Sequence, residues 1–307
     1  MNFTLNVLGT ASALPTAERY PSAQVLDVRG RLFMIDCGEA AQMRLRKAGI
    51  SFLKIEHICL SHIHGDHLFG IFGLLSTMIM LGRSSQLNIY APESFSPVLE
   101  FFLEQFGEGI HFDINYVPLK MKQPELLYQN RKMELLAFPL SHRVDSFGFL
   151  FREKMPQHNV RKETIERYGL SLAEIGALKR GEDVVRPDCI ISNDAAAYVP
   201  YEPRSYAYCS DTTCLMSNVR QLEGVDLLFH EATFASDNEA RAQETFHSTA
   251  RQAALLAQDA KVGQLIIGHF SARYENENLL LKEAQSIFPN TILAKENLKL
   301  SIKNKPH

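Results

Sequence analysis

One strand and the turn after it constrain this chain more than any other feature. The segment KIEHICLSHIHGDH, residues 54–67, reads as a short apolar strand running straight into three histidines, His62, His64 and His67, gathered around Asp66. With 11 histidines and 12 aspartates in 307 residues, a shuffled chain would contain His-x-His-x-Asp-His only roughly five times in ten thousand. Clustered imidazoles beside a carboxylate suit a borderline-soft divalent cation. In extended backbone His62 and His64 point the same way, two residues apart. Gly65 permits a sharp turn, and Asp66 and His67 follow where strand gives way to helix. Each of these two pairs is too few for a closed metal site, so the fold must bring further ligands from afar.

Elsewhere the chain alternates strand-like and helix-like segments. Strand patterning marks NFTLNVLG, AQVLDV, RLFMIDCG, LNIYAP, FDINYVPL, KMELLAFPLSH and FGFLFRE, then SYAYCSD, VDLLFHEATF, QLIIGHFS and a closing TILAKENLKLSI. Helical spacing marks LFGIFGLLSTMIMLG, ESFSPVLEFFLEQF, STARQAALLAQDA and ENLLLKEAQSIF. Two strand-rich halves with helices between them imply stacked sheets covered by helices, a layered α/β architecture. Such layers need a large core, which a 46% hydrophobic and 22% charged composition supplies.

Other function classes recede. The apolar run Leu68–Gly82 is too short to span a bilayer and reads as a core helix, so no membrane partner is expected. A net charge of -3 gives no global pull toward nucleic acid, and any RNA or DNA contact must be local. Five scattered cysteines without a C-x-x-C pair read as reduced thiols of a cytoplasmic protein. The opening MNFTLNVLGT has neither a basic n-region nor an apolar h-region, so no secretion signal is expected.

Candidates for the missing ligands end apolar strands. His142 follows LLAFPLS, Asp211 follows YAYCS and His269 follows QLIIG, at positions where α/β proteins commonly place their sites. His-x-His-x-Asp-His followed by His142, Asp211 and His269 resembles the metallo-β-lactamase superfamily. That resemblance implies a four-layer αβ/βα sandwich over residues 1–307 holding two zinc ions per subunit. His62, His64 and His142 would bind one ion, Asp66, His67 and His269 the other, and Asp211 would bridge them.

Further segments narrow the resemblance. LGTASALPT, IDCGEAAQ (Ile35–Gln42), HEATF (His230–Phe234), HST (His247–Thr249) and GHFSARY (Gly268–Tyr274) together look like ribonuclease Z, the tRNA 3′ processing endonuclease. The implied reaction is hydrolysis of precursor tRNA just after the discriminator nucleotide, leaving a 3′-hydroxyl. Asp66 would double as proton acceptor for the attacking water, and His247 would be the general acid, oriented by Glu231. A homodimer is implied too, one subunit's arm holding the tRNA that the other subunit cuts. Taken alone, His247 also reads as a helix-start histidine beside a capping Ser248.

The arm falls at about residues 153–193, a polar amphipathic stretch that fits two short helices separated by Gly169 and Gly176. It reads either as a helical surface excursion or as a grip on a large partner, with Arg161, Lys162, Arg167, Lys179 and Arg180 able to meet phosphates. Unlike the family's usual arm, GLSLAEIGALKRG keeps Leu178, Lys179 and Gly181 but has no proline. The family's N-terminal loop often reads Pro-Thr-Lys-x-Arg-Asn; here PTAERY keeps Arg19, a candidate substrate contact, but has Ala17 and Tyr20 instead of Lys and Asn. Arg273 reads equally as a substrate contact or as packing, and Arg44, Arg46 and Lys47 as a solvated helix end or an acceptor-stem contact. Two rivals stay open: another dizinc hydrolase (a small-molecule phosphodiesterase, arylsulfatase or thioesterase), and a non-catalytic RNA-binding scaffold.

Overall fold

A computed structural model describes residues 2–303. β1 (Phe3–Gly9), β2 (Ala23–Val28) and β3 (Arg31–Cys37) form an antiparallel meander. β4 (Ile55–Cys59), β5 (Leu87–Pro92) and β6 (Ile114–Leu119) extend it in parallel. Parallel strands need crossovers, which α1 (Ala41–Lys47), α2 (Gly65–Leu68), α3 (Gly70–Met80) and α4 (Ser96–Phe106) supply. The long apolar run after the histidines is therefore helical, but it breaks at Phe69 into α2 and α3. Gly70 lies so close to the Gly38 carbonyl that any Cβ would collide with it, which lets α3 pack onto the end of β3.

The chain then enters a second sheet through β7 (Glu125–Gln129), β8 (Met133–Leu140) and β9 (Ser146–Glu153). Residues 129–134 and 152–203 gather into a second compact unit. Within it, β10 (Asn159–Val160) leads to α5 (Lys162–Tyr168), which stops at Gly169 in the left-handed conformation. α6 (Leu172–Lys179) follows, and Gly176 lies inside it, so only Gly169 separates the two helices as expected. A capping box explains where α6 starts: Ser171 and Glu174 satisfy each other's backbone N–H groups. Glu174 also takes a fork from Arg186 at 2.8 and 3.0 Å, and this pairing with Arg186 and Ser171 holds its pKa down at about 2. β11 (Val184–Val185), β12 (Ile190–Ile191), α7 (Asn193–Ala196) and β13 (Ala197–Tyr198) complete the unit. Leu170, Leu178, Val184, Ile191 and Ala196 form its own small core. Its two-residue ribbons, β10 with β13 and β11 with β12, are too short to leave a pattern in the sequence.

β14 (Ser205–Cys209), α8 (Val219–Leu222), β15 (Leu227–Glu231), α9 (Glu239–Thr245), α10 (Ala250–Asp259), β16 (Gln264–Gly268), α11 (Asn278–Gln285) and β17 (Thr291–Leu293) come next. β14 to β17 are parallel neighbours, and LLFHE and LIIG are buried throughout, as strands covered on both faces must be. Thr249, not Ser248, caps α10, in a capping box with Gln252; the Ser248 hydroxyl donates instead to the Thr212 carbonyl. The expected closing strand is two strands in different sheets, β17 and then β18 (Lys299–Ser301), which returns to β1. Asn297, in the left-handed region, turns the chain between them.

Each seven-stranded sheet carries helices on its outer face. α1, α3 and α4 bury Leu45, Leu74, Met78 and Phe102 against the first sheet. α10 and α11 bury Ala253, Leu256, Ala257 and Leu280 against the second. The inner faces meet through aromatic contacts such as Phe33 with Phe151 at 5.2 Å. This is the layered αβ/βα arrangement.

His57 on β4 is also buried at that inner level, stacked 4.5 Å from the Phe33 ring. Burial, and then repulsion from Arg31 and Arg83, push its pKa down to about 3. Unfolding releases it to an ordinary value near 6.5, so the unfolded chain binds a proton that the folded one refuses. This contribution to stability is full above about pH 6.5 and is lost as pH falls toward 3, at on the order of 1.4 kcal/mol per pH unit. His57→Phe is expected to flatten that acid limb in urea unfolding measured from pH 7 to 4.

Candidate active site

Strands of both sheets deliver the site from their carboxyl ends. β4 leads into His62 and His64, and α2 carries Asp66 and His67. His142 follows β8, Asp211 follows β14 and His269 follows β16. Ligand atoms of His62, His64, His142 and Asp211 lie within 4.8 Å of one another, as do those of Asp66, His67 and His269.

The ring nitrogens face one another. His62 Nε2 is 3.1 Å from His64 Nδ1, and His142 Nε2 is 3.2 Å from that same Nδ1. In the other cluster His67 Nε2 and His269 Nε2 are 3.2 Å apart, each 3.5 Å from Asp66 Oδ2. Asp211 reaches both clusters with different oxygens. Its Oδ2 lies 3.5 Å from His62 Nε2, and its Oδ1 lies 3.1 Å from His269 Nε2 and 3.4 Å from His67 Nε2. Tetrahedral ligands at about 2.0–2.1 Å from a metal stand about 3.3 Å from each other, so the convergence fits nitrogen ligation of a divalent cation.

Electrostatics agrees with that fit. Burial pushes His62 down to about 4 and also lowers His64 and His142, which leaves these imidazoles neutral with lone pairs to offer. Burial would lower His67 too, but the carboxylates of Asp211, Asp66 and Asp36 outweigh it and hold its pKa well above the ordinary value. Burial disfavours ionised Asp211, yet His269, His67 and His62 keep it well below the usual carboxylate range. Buried anions thus call for positive charge at the second cluster, which a divalent cation supplies.

A further layer of hydrogen bonds fixes the rings. Asp36 accepts from the Ser61 backbone N–H at 2.7 Å, from the Tyr208 hydroxyl at 2.6 Å and from His67 Nδ1 at 2.8 Å. His142 Nδ1 donates to the Phe246 carbonyl at 2.9 Å, and His269 Nδ1 lies 3.0 Å from Thr233 Oγ1. Asp36 was not singled out from the sequence; the signal available was a charged residue ending the apolar strand RLFMID. Asp36 and His269 both hold left-handed backbone without being glycine, the kind of strain that gathers at functional sites. Asp36→Asn is expected to weaken metal retention roughly 10–100-fold, measured by chelator competition.

Glu231 is fully buried at the end of β15 and engages every lone-pair direction it has. Its Oε1 accepts from Ser248 N at 2.9 Å and from His247 Nδ1 at 3.0 Å, while Oε2 accepts from the Thr233 hydroxyl at 2.7 Å and Thr233 N at 2.9 Å. Burial opposes protonation of His247, but the Glu231 carboxylate outweighs it and raises the pKa to about 9. With Nδ1 committed to Glu231, His247 keeps Nε2 for the cleft that it lines. That cleft holds about 580 Å³ and is lined by His64, Asp66, His142, Asp211 and His247. Ala13 on the N-terminal loop closes one wall, its N–H donating to Asp66 Oδ2 at 2.8 Å.

The expected substrate contacts fare differently. Arg19 turns inward: it is 8% exposed, with Nη2 on the Tyr274 carbonyl at 2.8 Å and Nη1 3.1 Å from Glu277, so it pins the N-terminal loop. Arg44 is buried as well, bonded to the Leu8 carbonyl and Asn297 beneath the Tyr20 ring. Arg273 lies over the Phe234 ring and donates to Asn238 at 2.7 Å. On the arm, Arg180 forks onto Glu182 and Lys162 lies 3.6 Å from Glu166. Arg161 packs over Tyr198, and Lys179 is exposed without an acidic partner among the described residues.

Comparison with known proteins points the same way. The family model described as anti-Pycsar protein Apyc1 matches residues 3–156, ending where the arm begins. Ribonuclease Z of Bacteroides fragilis is 46% identical over 98% of this chain and 99% of its own length. Ribonuclease Z of Porphyromonas gingivalis is 42% identical over the same shares. Among solved structures, human tRNase Z short form superposes with a TM-score of 0.70 at 24% identity, covering 98% of this chain and 99% of that one. The Bacillus subtilis metallo-β-lactamase fold protein YhfI gives 0.69 at 18% identity, over 98% and 99%, a likeness of fold. With relatives of this identity matched from end to end, arm included, the chain belongs to the ribonuclease Z family.

Proposed function

We propose that this protein is a metal-dependent endoribonuclease that hydrolyses precursor tRNA after the discriminator nucleotide. The observation that carries this reading is His247, held through Nδ1 by Glu231 and lining the cleft beside both ligand clusters. The donor sets suit two zinc ions, one on His62, His64 and His142, one on Asp66, His67 and His269, with Asp211 shared. When bound there, such ions stabilise charge on the phosphodiester and make water acidic enough to attack at neutral pH.

The chain's own groups handle the protons. Asp66, oriented by the Ala13 N–H, accepts one proton of the attacking water as its oxygen bonds to phosphorus. The bond from phosphorus to the 3′-oxygen breaks, and His247 Nε2 gives that oxygen its proton. The Glu231 carboxylate on Nδ1 favours the protonated ring and prevents it from turning. The phosphate leaves with the trailer, and the tRNA keeps a 3′-hydroxyl.

Quaternary structure and location belong to the same proposal. Phe72, Phe101, Phe102 and Phe106 with Val98 line an apolar groove of about 520 Å³ between α3 and α4, and Phe101 and Phe106 are each 61% exposed. Contiguous apolar surface of this kind supports a second copy of the chain as its cover. Five free cysteines support a cytoplasmic setting, and no helix among the described residues is long and apolar enough to cross a membrane. The direct test is incubation with a precursor carrying a 3′ trailer, the new end being mapped with and without chelator. One chelator-sensitive cut beside the discriminator is expected; intact RNA with turnover of a small phosphodiester or thioester would overturn the substrate assignment.

A further inference from the structure

Two phenylalanines stand exposed around the cleft where burial would normally hide them. Phe69, on the wall built from the first sheet, is 63% exposed although it belongs to an otherwise buried helical junction. Its ring lies against Gly65, between the ligands His64 and Asp66, so closely that a Cβ on Gly65 would strike three of its carbons. Phe246 sits between Thr245 and His247, which both line the cleft, and is itself 38% exposed. It holds a left-handed backbone (φ 58°) that disfavours a non-glycine residue. Its carbonyl is the acceptor for His142 Nδ1, which fixes the ring's base beside the ligands.

Arg143 adjoins Phe246. Its guanidinium lies 5.9 Å from the Phe246 ring centre, with Nη2 tied to the Glu244 carbonyl at 2.8 Å. Among the residues lining the cleft it is the one Lys or Arg. The pairing sets a planar cation that lines the cleft beside an aromatic ring that adjoins it.

We infer that Phe246 and Phe69 are stacking platforms for the unpaired bases on either side of the scissile phosphate, with Arg143 neutralising the adjoining phosphate. Unpaired RNA bases are characteristically held by stacking on aromatic rings, which tolerates any base. Because His247 protonates the leaving 3′-oxygen, the nucleotide that owns that oxygen lies on the His247 side, so Phe246 takes the discriminator. Phe69, beside the proton acceptor Asp66, takes the first trailer nucleotide. This assignment rests on the endonuclease reading and adds to it the grip that places the phosphate.

The test pairs protein variants with substrates lacking single bases. Phe246→Leu keeps apolar bulk without a π face, and Phe246→Trp keeps the face. On the normal precursor, Phe246→Leu is expected to raise KM roughly tenfold, and Phe246→Trp to restore it. On a precursor abasic at the discriminator, wild type and Phe246→Leu should cut alike, while Phe69→Leu still shows its own penalty. Phe69→Leu should lose that penalty only when the first trailer base is removed. Equal losses on normal and abasic precursors, or no loss on either, would overturn the stacking assignment. A wild-type protein that leaves precursor intact would overturn the endonuclease reading instead. Thermal unfolding of each variant separates a misfolded loop from a lost platform, and Arg143→Gln should steepen none of these base-specific differences while reducing the salt dependence of KM.

Discussion

Asp211→Ala is expected to abolish precursor cleavage, by a factor of at least about 10³, and to empty both ligand clusters together. Each other ligand serves one cluster, but Asp211 places Oδ2 toward His62 and His142 and Oδ1 toward His67 and His269. Lewis-acid stabilisation worth several kcal/mol is lost with the ions, and each 1.36 kcal/mol is tenfold in rate. The carboxylate also balances a set of buried imidazoles. Removing one partner from such a buried group costs on the order of 3–5 kcal/mol, so the thermal midpoint should fall as well. Elemental analysis after gel filtration, with rates on precursor, reads both effects. A variant that retains a full metal complement would contradict the shared-carboxylate geometry. His64→Ala offers the comparison: it should empty the first cluster and leave the second partly loaded.

Excising residues 161–196 is the second large perturbation, and the ribbon of β10 and β13 shows how to make it. Val160 pairs with Ala197, so a two-residue Asn-Gly turn can join them as a hairpin without disturbing Asn159 or Tyr198. KM for precursor tRNA is expected to rise on the order of 100-fold, the worth of two charge-assisted hydrogen bonds at about 1.5 kcal/mol each. Turnover of a small phosphodiester should be unchanged. Mixing the excised protein with His64→Ala protein then asks whether an arm on one subunit serves the site of another. Recovered cleavage in the mixture supports the dimeric reading, and none counts against it. Unchanged KM after excision would return the arm to an ordinary surface excursion.

Physical reasons decide how much of this was legible beforehand. The ligands stood out because each ends an apolar run with a residue type that such a run does not otherwise favour, and His-x-His-x-Asp-His crowds four of them together. Glu231 and His247 were readable through the HEAT and HST segments, and the structure joins them at 3.0 Å. Asp36 was missed because its importance is wholly tertiary: nothing local links it to a histidine 31 residues later. The burial of Arg19 and Arg44 was hidden for the same tertiary reason. Their types suggest a polyanion, yet both guanidinium groups are consumed by backbone carbonyls and side chains brought in by the fold. The break between β17 and β18 was hidden because Lys295, Glu296 and Asn297 interrupt strand patterning only slightly. Glu296 in that turn accepts from Thr10 N, the Thr10 hydroxyl and Tyr20 N, which ties the base of the N-terminal loop to it.

The spread of the ligands along the chain has a consequence for the protein's birth on the ribosome. The first cluster draws on residues 62 to 211, and the second is not complete until His269 has been made. The loop that orients Asp66 waits longer still, since Glu296 anchors its base. Contacts this distant in sequence form late and slowly. A chain arrested before residue 269 is therefore expected to leave RNA uncut, so that a nascent nuclease surrounded by tRNA stays harmless until its last ligand has been made.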